Sequence, residues 1–161
     1  MIRISRIYGG GGGGEDRISA LLNCVLVEIL SGLPSTKGAI RTGTLSKRWE
    51  HLWTLLPTLI FKQNGDYHDF VSFVDKTLTQ RRLLKLKTFE VYTIYDARFE
   101  SQVRNWIHQY FFTGSCFTDL KLSGCMFNPT GEINWKNLRS LCISDGNLHE
   151  DLIRNILFGS P

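Results

Sequence analysis

Apolar residues at 21, 22, 25, 26, 29, 30 and 33 recur at the three- and four-residue spacing of an amphipathic helix. The stretch "DRISALLNCVLVEILSGLP" therefore predicts a helix, with Asp16 and Ser19 as candidate N-caps and Gly32 and Pro34 as its end. A second helix is expected over Thr36 to Thr42, with Ala39 and Ile40 facing inward. A third, Leu45 to Leu55, places Leu45, Trp49, Leu52 and Trp53 on one stripe. Lys47, Arg48, Glu50 and His51 fall off that stripe, and Pro57 stops the run. Three short helices make a small core that gains from a partner's surface.

The pattern changes after Leu59-Ile60-Phe61 and the polar turn "KQNGDYHD". A helix is expected from Asp69 to about Leu84, with Phe70, Phe73, Val74, Thr77 and Leu78 on its inner face. "LLKLKTFEVYTIY" is crowded with β-formers and predicts a strand. From here a skeleton repeats. Leu86-x-x-Phe89-x-Val91-x-x-Ile94 precedes a helical stretch from Phe99 to Phe112, and Phe117-x-x-Leu120-x-Leu122-x-x-Cys125 follows it. Leu138-x-x-Leu141-x-Ile143 is a third copy, leading to Gly146-Asn147. This is the spacing of leucine-rich repeats, in which each unit gives a short strand whose alternate apolar residues enter a solenoid core. A Cys or Asn at the strand end can hydrogen-bond loop backbone. The final stretch, with Leu148, Leu152, Ile153, Ile156 and Leu157, forms an amphipathic arc, and the last repeat reads as open, as if truncated.

Composition narrows the classes. An apolar content of 42% suffices for a core, and no run reaches the roughly 18 apolar residues of a membrane helix. "MIRISRIYGG" lacks a secretory h-region, so a cytoplasmic or nuclear location is expected. The net charge of +4 is spread over the first third, and residues 63–161 carry 11 charges of each sign. That is thinner than the basic stripe of a DNA-binding face. Gly9 to Gly14 is followed by Glu15-Asp16 rather than by Lys-Ser/Thr, so it reads as a flexible leader and not a phosphate loop. Cys24, Cys116, Cys125 and Cys142 include no CxxC pair and are expected as reduced, mostly buried thiols, without a metal site. His51, His68, His108 and His149 are scattered, and no nucleophile–base pair or carboxylate dyad stands out. An enzyme is the least supported class, and no cofactor is expected.

Asp16-Arg17-Ile18-Ser19, Ile29-Leu30-Ser31, Leu33-Pro34, Leu45-Ser46-Lys47-Arg48-Trp49 and Leu52-Trp53 together resemble the F-box module of plant F-box proteins with leucine-rich repeats. The resemblance implies an α+β chain: a three-helix F-box followed by an incomplete leucine-rich-repeat α/β solenoid. Its parts would be a disordered leader (1–14), the F-box (15–62), a linker helix (63–85) and a partial repeat domain (86–161). It implies a non-catalytic substrate receptor of a cullin–RING ubiquitin ligase of the SCF type. The F-box would dock a Skp-type adaptor, and through it a cullin, while the repeats hold a target protein. By position the adaptor-facing residues would be Leu21, Leu22, Val25, Leu26, Ile29, Leu30, Leu33, Pro34, Leu45, Trp49 and Trp53. Trp49 is weighted toward the core, and Lys47 and Arg48 toward a solvated rim.

The family carries a proline and one or two acidic residues after the first leucine, where this chain reads Leu22-Asn23-Cys24. Gly43-Thr44 replaces a serine and an aliphatic residue, and glycine inside a helix costs up to about 1 kcal/mol. Both departures predict weaker adaptor binding and keep a second reading open, a truncated or decayed paralogue. A third is a small nucleic-acid binder stacking bases on Trp49 and Trp53 beside Lys47 and Arg48, although the tryptophans share the leucine stripe.

Overall fold

The computed structural model describes residues 21–81, 86–94, 97–111, 118–125 and 138–146, with no side-chain description for 109–111. The leader, the Asp16–Ser19 segment, Leu84, Phe112, Cys116, Phe117, Asn147, His149 and the arc from Leu148 lie outside the described residues. What is described is an α+β chain with a four-stranded, fully parallel sheet.

The helical end comes first. Helix α1 (Asn23–Ser31) stops at Gly32, whose N–H closes back onto Ile29 C=O while Leu33 N–H donates to Leu30 C=O. Helix α2 (Thr36–Arg41) starts on Ser35, whose hydroxyl accepts from Gly38 N–H at 3.3 Å, and tightens into a 3₁₀ turn over Thr42–Thr44. The third helix departs from expectation: regular structure begins at Trp49, not Leu45, and Trp49–Leu55 is 3₁₀ throughout. Gly43 lies against this segment, where a Cβ would sit 3.1 Å from Glu50 Cα. Leu26, Leu30, Ala39, Leu52, Trp53 and Leu56 form the core of this end, with Leu21, Val27, Leu33, Ile40 and Trp49 half-buried around it.

The sheet is built from strands β1 (Thr58–Lys62), β2 (Thr88–Tyr92), β3 (Asp119–Ser123) and β4 (Ser140–Ser144), in sequential order. Its register stacks Leu59, Phe89, Leu120 and Leu141 in one row and Phe61, Val91, Leu122 and Ile143 in the next. Parallel neighbours require crossovers. Helix α3 (Tyr67–Arg81) lies in the first and α4 (Phe99–Phe111) in the second. Phe70, Val74 and Leu78 of α3, and Phe99, Val103, Trp106 and Ile107 of α4, pack on the two strand rows. Trp106 Nε1–H donates to Asp75 at 2.5 Å, and the Gln102 amide reaches the same carboxylate, so one carboxylate joins the two helices.

Thr58–Lys62, expected within the F-box span, pairs with β2 in the sheet, and the helix expected within the linker packs on the sheet's inner face. The pattern was legible: Leu56-x-x-Leu59-x-Phe61-x-x-Asn64 carries the same skeleton as the later copies. Ladder bonds at the strand starts repeat as well. Pro57 C=O accepts from Lys87 and Thr88, Lys87 C=O from Thr118 and Asp119, and Thr118 C=O from Arg139 and Ser140. The two ends meet at Thr36, which is buried and whose hydroxyl accepts from Ile60 N–H at 2.8 Å on the outer edge of β1.

Candidate functional site

Helix α1 is apolar on two sides. Leu26 (0% exposed) and Leu30 (2%) point into the core, while Leu22 (70%), Val25 (41%) and Ile29 (52%) form an outward stripe at i, i+3, i+7. A helix that is hydrophobic all round is ordinarily buried all round. A few singly exposed apolar side chains need no explanation, but here the N-cap residue and two residues of the nine-residue helix form one exposed apolar row. Leu45 (69% exposed) lies outside this helix, in the turn before the 3₁₀ segment.

The expected adaptor-facing residues therefore separate. Leu22, Val25, Ile29, Pro34 and Leu45 are exposed, and Leu21, Leu33 and Trp49 are half-buried beside the core. Leu26, Leu30 and Trp53 of the expected set are core residues of the helical end in this structure. The 3₁₀ geometry explains the loss of Leu45 from the stripe. With structure starting at Trp49, the packed set is Trp49, Leu52, Trp53 and Leu56, and Leu45 is left outside.

Leu22 is the N-cap residue of α1 and makes no side-chain capping bond, and the first turn holds no acidic residue. Val25 and Leu26 N–H both return to Leu22 C=O. The hold on this turn comes from Arg48, a residue expected on a solvated rim. Its Nε and Nη2 donate to Asn23 Oδ1 at 3.0 and 2.9 Å, and Nη2 also donates to Leu21 C=O. Sequence reading missed this role because the pair is 25 residues apart and neither member is in an ion-pair pattern.

A second surface is the sheet face that α3 and α4 leave uncovered. Glu90 is nearly buried there, accepting from Tyr92 Oη–H at 2.9 Å and pairing with Lys121 Nζ at 2.9 Å. The carboxylate holds the Lys121 ammonium above its usual range, while burial, and then Glu90, raises the Tyr92 phenol. Lys62 Nζ stands 5.8 Å from the Tyr92 ring centre. On the inner side, Cys125 Sγ donates to Ser123 C=O and lies 3.4 Å from Thr93 Oγ1, the backbone-bonding role expected of a strand-end cysteine. Burial raises its thiol pKa. Of the other described cysteines, Cys24 and Cys142 are exposed, against the expectation of mostly buried thiols. His51, His68 and His108 are exposed on separate elements. Among the described residues, no group of three or more His, Cys, Asp or Glu is gathered to hold a metal, and no helix is long and apolar enough to cross a membrane.

The chain is 32% identical to F-box protein At5g03100 of Arabidopsis thaliana over 92% of its own length and 54% of that protein's. It is 29% identical to F-box/LRR-repeat protein 25 of the same plant over 91% of its length and 65% of the relative's. A shorter match, 48% of this chain and 19% of the relative, reaches 47% identity with putative F-box protein At1g49610 of A. thaliana. No family model and no solved structure matches the chain. The homologues are F-box proteins, and that is the class. Within it, F-box and F-box/leucine-rich-repeat proteins of A. thaliana are homologous over most of this chain, which supports a plant F-box/leucine-rich-repeat family. It spans about half to two thirds of the length of its first two relatives.

Proposed function

We propose that this chain is a non-catalytic substrate-receptor subunit of an SCF-type cullin–RING ubiquitin ligase. Residues 21–56 act as the F-box, docking a Skp-type adaptor that links to a cullin. The strands from β1 onward act as the first leucine-rich repeats of a solenoid, and their uncovered face holds a target protein. The observation that carries the reading is the outward row Leu22, Val25 and Ile29 on a helix whose opposite row is already in the core. A cytoplasmic or nuclear site of action accompanies this assignment.

The test is a pulldown of the full 161-residue chain with a plant Skp-type adaptor. Ile29→Asp is the informative variant, because Ile29 is exposed and its loss leaves the core intact. It abolishes capture while the thermal unfolding midpoint stays put. Leu26→Asp serves as the contrast, losing capture through unfolding. Full capture of Ile29→Asp would remove this face from the docking surface.

One observation favours a second reading, a paralogue with weakened adaptor binding. Leu22 caps α1 with no side-chain bond, and no acidic residue follows it in the first turn. A variant returning the family pattern, with Leu22→Pro, Asn23→Asp and Cys24→Asp together, tightens binding if drift has weakened it. The nucleic-acid reading is opposed by Trp53, which lies in the core and offers no face for stacking.

A further inference from the structure

We infer that Arg48 is the positioning residue of the docking face: its guanidinium, held on Asn23 and Leu21, fixes the start of α1 against the turn that carries Leu45. The inference rests on the docking reading above and adds to it how the face is kept in shape.

Two exposed leucines, Leu22 and Leu45, lie in irregular segments on either side of this link. Leu22 precedes α1, and Leu45 lies between two short 3₁₀ stretches. Leu22 is tied through its C=O to Val25 and Leu26 N–H, and Leu45 through its N–H to Thr42 C=O, and neither tie joins the two segments to each other. The first turn of α1 lacks both a side-chain cap and an acidic residue, so local chemistry does little to hold Leu22. Arg48 supplies the missing constraint from 25 residues away, with Nε and Nη2 on Asn23 Oδ1 at 3.0 and 2.9 Å and Nη2 on Leu21 C=O.

Arginine suits this task and lysine does not. The planar fork presents donors at fixed angles to two acceptors, whereas an ammonium is a point charge on a flexible stem. The bond to Leu21 C=O is part-buried, while those to Asn23 are exposed to water. Asn23 is neutral, so the present link is assisted by one charge only. An aspartate there would make it an ion pair with two parallel bonds.

Adaptor affinity and amide hydrogen exchange, measured on the full chain, test this together. Arg48→Ala weakens adaptor binding by about tenfold, the scale of one lost hydrogen bond to a charged group. Arg48→Lys restores little of it. Exchange quickens at the Val25 and Leu26 amides, which donate to Leu22 C=O, and stays unchanged in β2. Asn23→Ala, a mild surface change, weakens binding too, and adding it to Arg48→Ala costs nothing more. Asn23→Asp tightens binding only while Arg48 is present. If Arg48→Ala binds as the wild type does, or the Asn23→Asp gain survives without Arg48, the inference fails and the docking reading stands. If the wild-type chain binds no adaptor at all, the docking reading fails and takes this inference with it.

Discussion

The two ends of this molecule assign their residues to inside and outside by different rules. In the sheet, position decides for the apolar residues. Strand side chains alternate with a period of two, and α3 and α4 cover one face only. Leu59, Phe61, Phe89, Val91, Leu120 and Leu122 are all interior, while Ile60, Lys62, Tyr92 and Lys121 are on the other side. In α1 the rule gives no answer, because both rows of the helix are apolar. Packing against Leu52, Trp53 and Leu56 chooses the Leu26/Leu30 row as core and leaves Leu22, Val25 and Ile29 outside. A surplus of apolar side chains thus stays visible in the helical end, as the exposed row on which the proposed docking reading rests. In the sheet the same surplus is simply absorbed.

The largest effect expected is in the sheet. Phe89→Ala, fully buried at the centre of the stack, lowers unfolding free energy by about 3–5 kcal/mol, readable by urea titration. A loss under about 1 kcal/mol would mean that the rows are not one continuous core. The helical end then sharpens the contrast. Leu26→Ala costs about 2–5 kcal/mol, whereas Ile29→Ala, one turn away on the other row, stays within about 0.5 kcal/mol. Equal losses for the two would erase the distinction between core row and docking row.

A smaller effect tests how closely the sheet's turns stack. Gly124 has φ +71° after β3, and a Cβ there would lie 1.9 Å from Thr93 C=O in the preceding unit. Gly124→Ala therefore combines a left-handed backbone with a backbone clash and costs about 1–3 kcal/mol. The matching position one unit later, Asp145, also has positive φ (54°). Its carboxylate accepts from Ser123 Oγ–H at 3.1 Å, a bond to the end of the neighbouring strand. If Gly124→Ala is neutral, the spacing between successive turns is looser than it stands here.

The same two rules explain what the sequence made legible. The repeat skeleton gave the inner rows of β2, β3 and β4, and Phe70, Val74, Thr77 and Leu78 of α3 were buried as their spacing predicts. The strand at Thr58–Lys62 was missed because its Leu56-x-x-Leu59-x-Phe61 copy runs on from the 3₁₀ segment, and Leu56 belongs to the helical core. The candidate site was half legible. An i, i+3, i+4 pattern lists Leu22, Val25, Leu26, Ile29 and Leu30 together, and only tertiary packing divides them. The sequence puts Arg48 off the apolar stripe, and two of its partners, Leu21 and Asn23, are neutral and distant in sequence. No periodicity encodes a charge reaching an amide and a carbonyl 25 to 27 residues away.

The finest comparison is between the starts of α1 and α3. At α3, Asp66 Oδ1 accepts from His68 N–H at 2.7 Å and Asp69 N–H at 3.4 Å, and the His68 bond chiefly holds its carboxyl below the usual 3.8. At α1, Leu22 provides no such acceptor. Leu22→Ser supplies one and raises stability by about 1 kcal/mol, and Asp66→Ala lowers the melting temperature. The pH dependence separates the two caps. The folded pKa of Asp66 is depressed, so its contribution is present above the ordinary carboxylate value and disappears as pH falls through the folded value. Wild type and Asp66→Ala therefore converge in acid, whereas a serine hydroxyl does not titrate and the Leu22→Ser gain persists. Adaptor affinity moves the opposite way at Leu22, since the serine stabilises the helix while removing an exposed apolar contact. A Leu22→Ser chain that melts higher and binds the adaptor unchanged would place the docking surface on Val25, Ile29 and Leu45 alone.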